Sequence, residues 1–188
     1  MGFTENQNKV IEHGKGTLLV KAGPGSGKTT AIIARIMHLI NNGVDPESFL
    51  VITFTNKAAN ELKERLSAML GPEEQDVWAM TFHSACCRIL RRDIERMGYE
   101  KSFTIYDSSD SERVMKDIIK DMGLDDKTFP AKVVLSAISK EKDRMISPQE
   151  MLDTAEHTGD LRALHIARAY VKYQTRLKDN NALDFDDI

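Results

Sequence analysis

One stretch near the amino terminus, Lys21-Ala-Gly-Pro-Gly-Ser-Gly-Lys-Thr-Thr30, constrains this chain more than any other. Ahead of it lies Thr17-Leu-Leu-Val-Lys-Ala22, an apolar run that reads as a buried strand, and behind it comes a helical pattern beginning at Lys28. A glycine-dense turn between a strand and a helix lets several backbone N–H groups converge on one point, beside the positive end of the helix. That is phosphate-binding chemistry, and it commits the chain to an α/β arrangement.

The rest of the first half fits that commitment. Short runs rich in β-branched and aromatic residues recur at 17–22, 49–54, 76–82 and 103–107, separated by helical patterns at 28–41, 56–70 and 84–97. This alternation predicts a parallel sheet with helical crossovers. Gly43, Gly71 and Gly98 follow the three helices where left-handed caps belong. Ala58, Leu62, Leu66 and Met69 are the predicted sheet-facing stripe of the second. Beyond Asp107 the pattern is helical to about residue 180. Val114, Ile118 and Met122 share a face, Ser147-Pro-Gln-Glu150 is a capping box with proline at the first helical position, and Leu161, Leu164, Ala167 and Val171 recur along a long helix. The expected organisation is an α/β part over 1–107, an all-helical part over 108–183, and a return to the α/β part over 184–188.

Composition narrows the function classes. With 41% apolar and 29% charged residues the 188-residue chain can bury a core, and its net charge of −3 is spread evenly, so no basic domain announces a nucleic-acid partner. The best apolar run, Ala31 to Ile40, is broken by Arg35 and His38 and falls short of the about 18 residues of a membrane span. Cys86 and Cys87 are adjacent, which suits neither a disulfide framework nor a C-x-x-C zinc site; reduced thiols in a cytoplasmic protein are expected.

Within the loop, the backbone of Ala22, Gly23, Pro24, Gly25, Ser26 and Gly27 would surround the phosphates. Lys28 would neutralise the outer ones, the Thr29 hydroxyl would ligate Mg²⁺, and Thr30 would follow on the helix. A turn without a ligand needs neither the lysine nor the threonine. Ala22 stands where the strict pattern has its first glycine, a departure softened by Gly23, Gly25 and Gly27. Two further segments, Ile52-Thr-Phe-Thr-Asn-Lys-Ala-Ala59 and Thr81-Phe-His-Ser84, close predicted strands at the same sheet edge. Aromatic rings beside hydroxyl, amide and ammonium groups suit a single nucleic-acid strand. A structural reading stays equally open: Phe54 and Phe82 as core, Thr55 and Ser84 as helix caps, Lys57 as a solvated cation.

Taken together and in order, the loop, "ITFTNKAA", "TFHS", "CRILRRDIERMG", "FTIYD" and "LDFDD" resemble the first RecA-like domain and helical insertion of the UvrD/Rep/PcrA-type superfamily 1 DNA helicases, over essentially the whole chain. The resemblance implies a P-loop RecA-like sheet, ATP with Mg²⁺, and ATP-driven 3′→5′ movement on single-stranded DNA and single-strand/duplex junctions, in DNA repair or replication. It assigns Gln7 to the adenine edge of ATP. It also assigns Phe54, Thr55, Asn56, Lys57, Thr81, Phe82 and His83 to the single strand.

Departures accompany the resemblance. Thr30 stands where many family members have an arginine near the nucleotide. No apolar run ending in Asp-Glu follows the loop, and Leu183-Asp-Phe-Asp-Asp-Ile188 has too little apolar sequence ahead of its acids to be a buried strand. The expectation is an amino-terminal portion that holds Mg·ATP without turning it over. A second RecA-like domain in cis would supply the arginine finger, and further strands would lie between the loop strand and those ending at Phe54 and Phe82. A small-molecule kinase and a non-catalytic interaction module are the alternatives. In the helical part Lys132, Lys140, Lys142 and Arg144 are candidate DNA contacts, or else a solvated face.

Overall fold

The computed structural model describes residues 2–70 and 77–188 as helices and strands with two small parallel sheets, arranged in two compact units, 1–85 and 86–188. In the first unit α1 (Glu5–Glu12) precedes the loop and α2 (Lys28–Asn41) follows it; then come β1 (Leu50–Thr53), α3 (Asn56–Leu70), β2 (Trp78–Thr81) and the start of α4 (Phe82–Asp93). β1 and β2 pair in parallel, Leu50 opposite Trp78 and Thr53 opposite Thr81, with α3 as their crossover. Ile33 and Ile36 of α2, Leu62 and Leu66 of α3, and Val77 and Ala79 form the buried core. The buried face of α3 is Ala59, Leu62 and Leu66, so the stripe is rotated from the expected one: Ala58 is half-buried and Met69 exposed. The cap expected at Gly71 lies outside the described residues.

The strand expected at 17–22 is not formed. No described strand pairs with it, and Leu18, Leu19 and Val20 are exposed, Leu19 by 77%. Apolar alternation qualifies a segment for a sheet, but the ladder needs a neighbour to take its N–H and C=O groups. β1 and β2, which do have each other, form where the sequence placed them.

The second unit takes in the rest of α4, β3 (Thr104–Ile105), α5 (Ser108–Asp121), α6 (Ala131–Asp143), α7 (Pro148–Thr158), α8 (Leu161–Asp179) and β4 (Ala182–Leu183). Three of these helices open on side chains. Asp107 and Ser147 form capping boxes with Asp110 and Glu150, and Asp160 accepts from Arg162 and Ala163 N–H. Met115, Ile118, Val134, Ile138, Tyr173 and Leu177 are the centre of its core. Along α8 the buried residues are Ala167, Ala169, Tyr170, Tyr173 and Leu177, whereas Leu161 is exposed.

Two expectations need correction here. Residues 103–107 do not join the β1–β2 sheet; β3 pairs in parallel with β4 in a sheet of its own. Nor is the Leu183 segment too short to be a buried strand. Thr104 N–H donates to Asn181 O at 3.0 Å and Tyr106 N–H to Leu183 O at 2.8 Å, while Leu183 packs with Ile94 and Phe103. Two residues suffice because the ladder partner and the apolar cover both come from a distant part of the chain. The predicted all-helical part over 108–183 thus ends in a strand.

Lys142 is a third correction. It is buried, with Nζ 2.8 Å from Asp184 Oδ2 and 2.7 Å from Asp187 Oδ1, and Gln174 Nε2 donates to the same Asp187 oxygen at 3.1 Å. Two carboxylates share one ammonium, and burial pushes the Asp187 carboxyl up against the pull of Lys142. This lysine ties the end of the chain to α6 and is not a solvated DNA contact. Among the described residues no helix is long and apolar enough to cross a membrane.

Candidate functional site

The loop of the first unit is built by its glycines and one lysine. Gly25 and Gly27 hold φ of 73° and 78°, which a side chain would resist, and Gly27 is the N-cap of α2. Having no side chain, Gly27 makes no capping bond, so the first-turn N–H groups of α2 are not taken up by a cap. Ser26 closes the turn, its hydroxyl donating to Gly23 O at 2.8 Å. Lys28 folds back over the loop, Nζ donating to Ala22 O at 2.9 Å and Gly23 O at 2.6 Å. Thr29 is half-buried on the first turn and Thr30 exposed. Ala22, Gly23, Pro24 and Gly25 are all exposed, leaving the loop open to a ligand.

Gln7 reaches this loop from α1. Its Oε1 accepts from Thr4 N–H at 2.8 Å in a capping box, and its Nε2 donates to Ser26 O at 3.1 Å. A Cβ on Gly27 would stand 2.7 Å from that Nε2, so the amide sits against the start of α2. The amide retains one N–H and one lone pair beyond these bonds.

At the carboxyl ends of β1 and β2 stand Phe54 and Phe82. Phe54 is 89% exposed and Phe82 48% exposed, with ring centroids 5.5 Å apart and planes tilted by 45°. The reading of Phe54 as core therefore falls. Thr55 does act as a cap, its Oγ1 accepting from Ala58 N–H at 3.2 Å, but Ser84 does not: it lies inside α4, and Thr81 is the cap there, its Oγ1 accepting from Ser84 N–H at 3.3 Å while meeting the Ser84 hydroxyl at 2.9 Å. The Thr81 hydroxyl is buried in this cap, whereas Thr55 is exposed. Asn56 and Lys57 are exposed on the first turn of α3, and His83 is exposed on α4.

One residue of this region, Arg35, stands in the sequence only as a break in an apolar run. Arg35 donates through Nη1 to the carbonyls of Val10, at 2.8 Å, and of His13, and through Nη2 to Gly14 O at 3.1 Å. The available signal was a lone arginine inside the apolar run Ala31–Ile40, a charge that a packed helix retains only with partners.

Comparison with known proteins is consistent along the whole chain. Residues 3–188 match the UvrD/REP helicase N-terminal domain. Over 187 residues the chain is 42% identical to the ATP-dependent DNA helicase PcrA of Staphylococcus epidermidis, a match covering 99% of this chain and 25% of that protein. Over 183 residues it is 42% identical to the ATP-dependent DNA helicase PcrA of Staphylococcus aureus, covering 97% of this chain and 25% of that protein. The chain thus spans about a quarter of the length of these relatives.

Proposed function

Because the chain belongs to the UvrD/REP helicase N-terminal domain family, we propose that it is the ATP- and single-strand-binding portion of an ATP-dependent 3′→5′ DNA helicase. One observation carries this reading. A single compact unit presents an open phosphate loop at an uncapped helix start and, at the ends of its two parallel strands, a pair of exposed aromatic rings.

The loop fits a nucleotide triphosphate with Mg²⁺. Its donors are the N–H groups of Gly25 and of Gly27 to Thr30 with the Lys28 ammonium, and the Thr29 hydroxyl stands on the helix turn they surround. Lys28 leaves two neutral carbonyls to meet anionic phosphates, an exchange favoured because the ammonium then faces full opposite charges where it had faced only carbonyl dipoles. Bound Mg²⁺ would neutralise charge between the outer phosphates, with Thr29 as its ligand from this chain. Gln7 would hold the base with the free half of its amide.

Phe54 and Phe82 would stack on bases of the single strand, with Thr55, Asn56, Lys57, Thr81 and His83 along its backbone. The P-loop RecA-like fold belongs to the same proposal. Exposed Leu18, Leu19 and Val20, with half-exposed Leu50 on β1, support a sheet in which further strands pair beside the loop segment and β1. Asp184 and Asp187 are committed to Lys142, so this chain offers neither as a free carboxylate for Mg²⁺ or for activating water. Residues 1–188 are therefore proposed to bind Mg·ATP without steady turnover.

Binding isotherms test the assignment. Labelled oligo-dT and blunt duplex would be titrated at two salt concentrations, with and without Mg·ATP, using wild type, Lys28→Ala and Phe54→Ala. The expected result is loss of nucleotide binding in the first variant and of single-strand binding in the second. Equal affinity for duplex and single strand, unchanged by Phe54→Ala, would overturn it.

A further inference from the structure

We propose that Arg35 is a positioning residue for the base-recognising amide of Gln7 and thereby sets nucleobase selectivity, an inference that rests on the nucleotide reading above. α1 has only eight residues, and a helix that short is marginal by itself in water. Its last carbonyls lack intrahelical partners. Arg35 closes this end: one planar guanidinium gathers the carbonyls of Val10 in the last turn, of the C-cap His13 and of Gly14 just beyond it, a fork that no other side chain matches in donor count.

Arg35 lies seven residues after Lys28 on α2, two helical turns along and on the same face. The helix that begins at the phosphate loop therefore also grips the far end of α1. Gln7 is the second fastener, its Nε2 on Ser26 O and against Gly27. With both in place the amide has a fixed height above the loop. Its remaining N–H and lone pair form the donor–acceptor pair that matches the amino group and ring nitrogen of adenine and opposes the carbonyl of guanine. Without Arg35, α1 keeps only its Gln7 end and its apolar packing through Ile11, and the amide is free to tilt. The phosphate donors of the loop and α2 do not depend on Arg35, so base selectivity and phosphate affinity should separate.

The test is titration calorimetry of the full chain with Mg·ATP, Mg·GTP and Mg·tripolyphosphate, for wild type, Gln7→Ala, Arg35→Met, Arg35→Lys and the Gln7→Ala/Arg35→Met pair. Arg35→Met should lower the ATP-to-GTP affinity ratio by roughly tenfold, the worth of one well-made base contact, and leave tripolyphosphate affinity unchanged. Arg35→Lys should recover part of the ratio, and the double variant should match Gln7→Ala alone, because the two residues act in series. A ratio unchanged in both Arg35 variants would overturn the inference, even if the melting temperature fell. So would an equal loss of tripolyphosphate affinity, which would place the dependence in the loop. Should Arg35→Met fail to fold, Arg35→Lys alone decides. Wild type that bound none of the three ligands would overturn the nucleotide reading as well, whereas wild type that bound all three without preferring ATP would overturn only this one.

Discussion

Helices α5, α7 and α8 of the second unit begin on Asp107, Ser147 and Asp160, whose side chains take up the first N–H groups; α2 of the first unit begins on Gly27, which has none to offer. The same contrast separates two lysines. Lys142 is buried between Asp184 and Asp187, and Lys28 lies exposed over two loop carbonyls. The polar groups at these three helix starts and around Lys142 are satisfied within the second unit itself, while α6 opens on Pro130 without a side-chain cap. Those at the loop are met weakly or left open, where a ligand can outbid what holds them. The proposed nucleotide site thus sits where local rules of stability are broken, as functional sites tend to.

The two units carry separate optical reporters, since the single tryptophan is Trp78 and the four tyrosines are Tyr99, Tyr106, Tyr170 and Tyr173. The largest effect should come from Lys142→Ala, which leaves two buried carboxylates without their cation at a cost of about 3–5 kcal/mol. The tyrosine melting transition should fall sharply while that of Trp78 holds. If both fall together, the contrast between a self-sufficient unit and an open one is wrong.

Lys28→Ala should do the reverse. Loss of its charge-assisted bonds to phosphate should weaken Mg·ATP binding by about 1.5–3 kcal/mol, with both melting transitions unmoved, and calorimetry beside thermal melts reads both. Steady phosphate release by wild-type residues 1–188, abolished in this variant, would show that the catalytic groups are already present.

Phe54→Ala should lower affinity for oligo-dT by about 1–3 kcal/mol, the worth of one base stacked on a ring. Stability should not change, because an exposed ring contributes little to the core. A fall in the Trp78 transition with unaltered affinity would make Phe54 a packing residue despite its exposure.

The smallest effects belong to the caps. Ser147→Ala should cost about 1 kcal/mol in the tyrosine transition and nothing in nucleotide binding. Hydrogen bonds from Asp110 and Ser109 hold the Asp107 carboxyl below its ordinary value, and those of Ser147 do the same for Glu150. A depressed carboxylate contributes stability above its unfolded pKa, about 4, and loses it as pH falls through the folded value. The Asp107→Asn deficit should therefore be full at pH 7, begin to shrink as pH falls below about 4, and vanish only once pH has passed below the depressed folded value. Asp187 has the opposite sign. Its carboxyl is raised by burial, so its contribution is greatest below the unfolded value and declines as pH rises through the folded one. Tyrosine melts of wild type, Asp107→Asn and Asp187→Asn across that range separate the two.

What could be read from residues alone was whatever a few neighbours decide together. The start of α2 at Lys28, the Ser147–Glu150 box, the turns at Gly43 and Gly98, and the loop with its lysine all depend on chemistry within about one helical turn. So did the placing of β1, β2 and the residues that end them. Other features waited on what lies across from a residue. The 17–22 run has strand composition and no ladder partner, while Ala182 and Leu183, with almost no strand signal, gain one from Thr104 and Ile105 nearly eighty positions away. Lys142 and Arg35 look like any cation in a helical pattern, and only packing gave one two carboxylates and the other three carbonyls. Phe54 could have been core by composition, and the tertiary structure left its ring exposed. Helix ends and loops are closed by neighbours in sequence, so sequence determines them. Pairing and burial need a partner brought from elsewhere in the chain, and only the folded molecule supplies it.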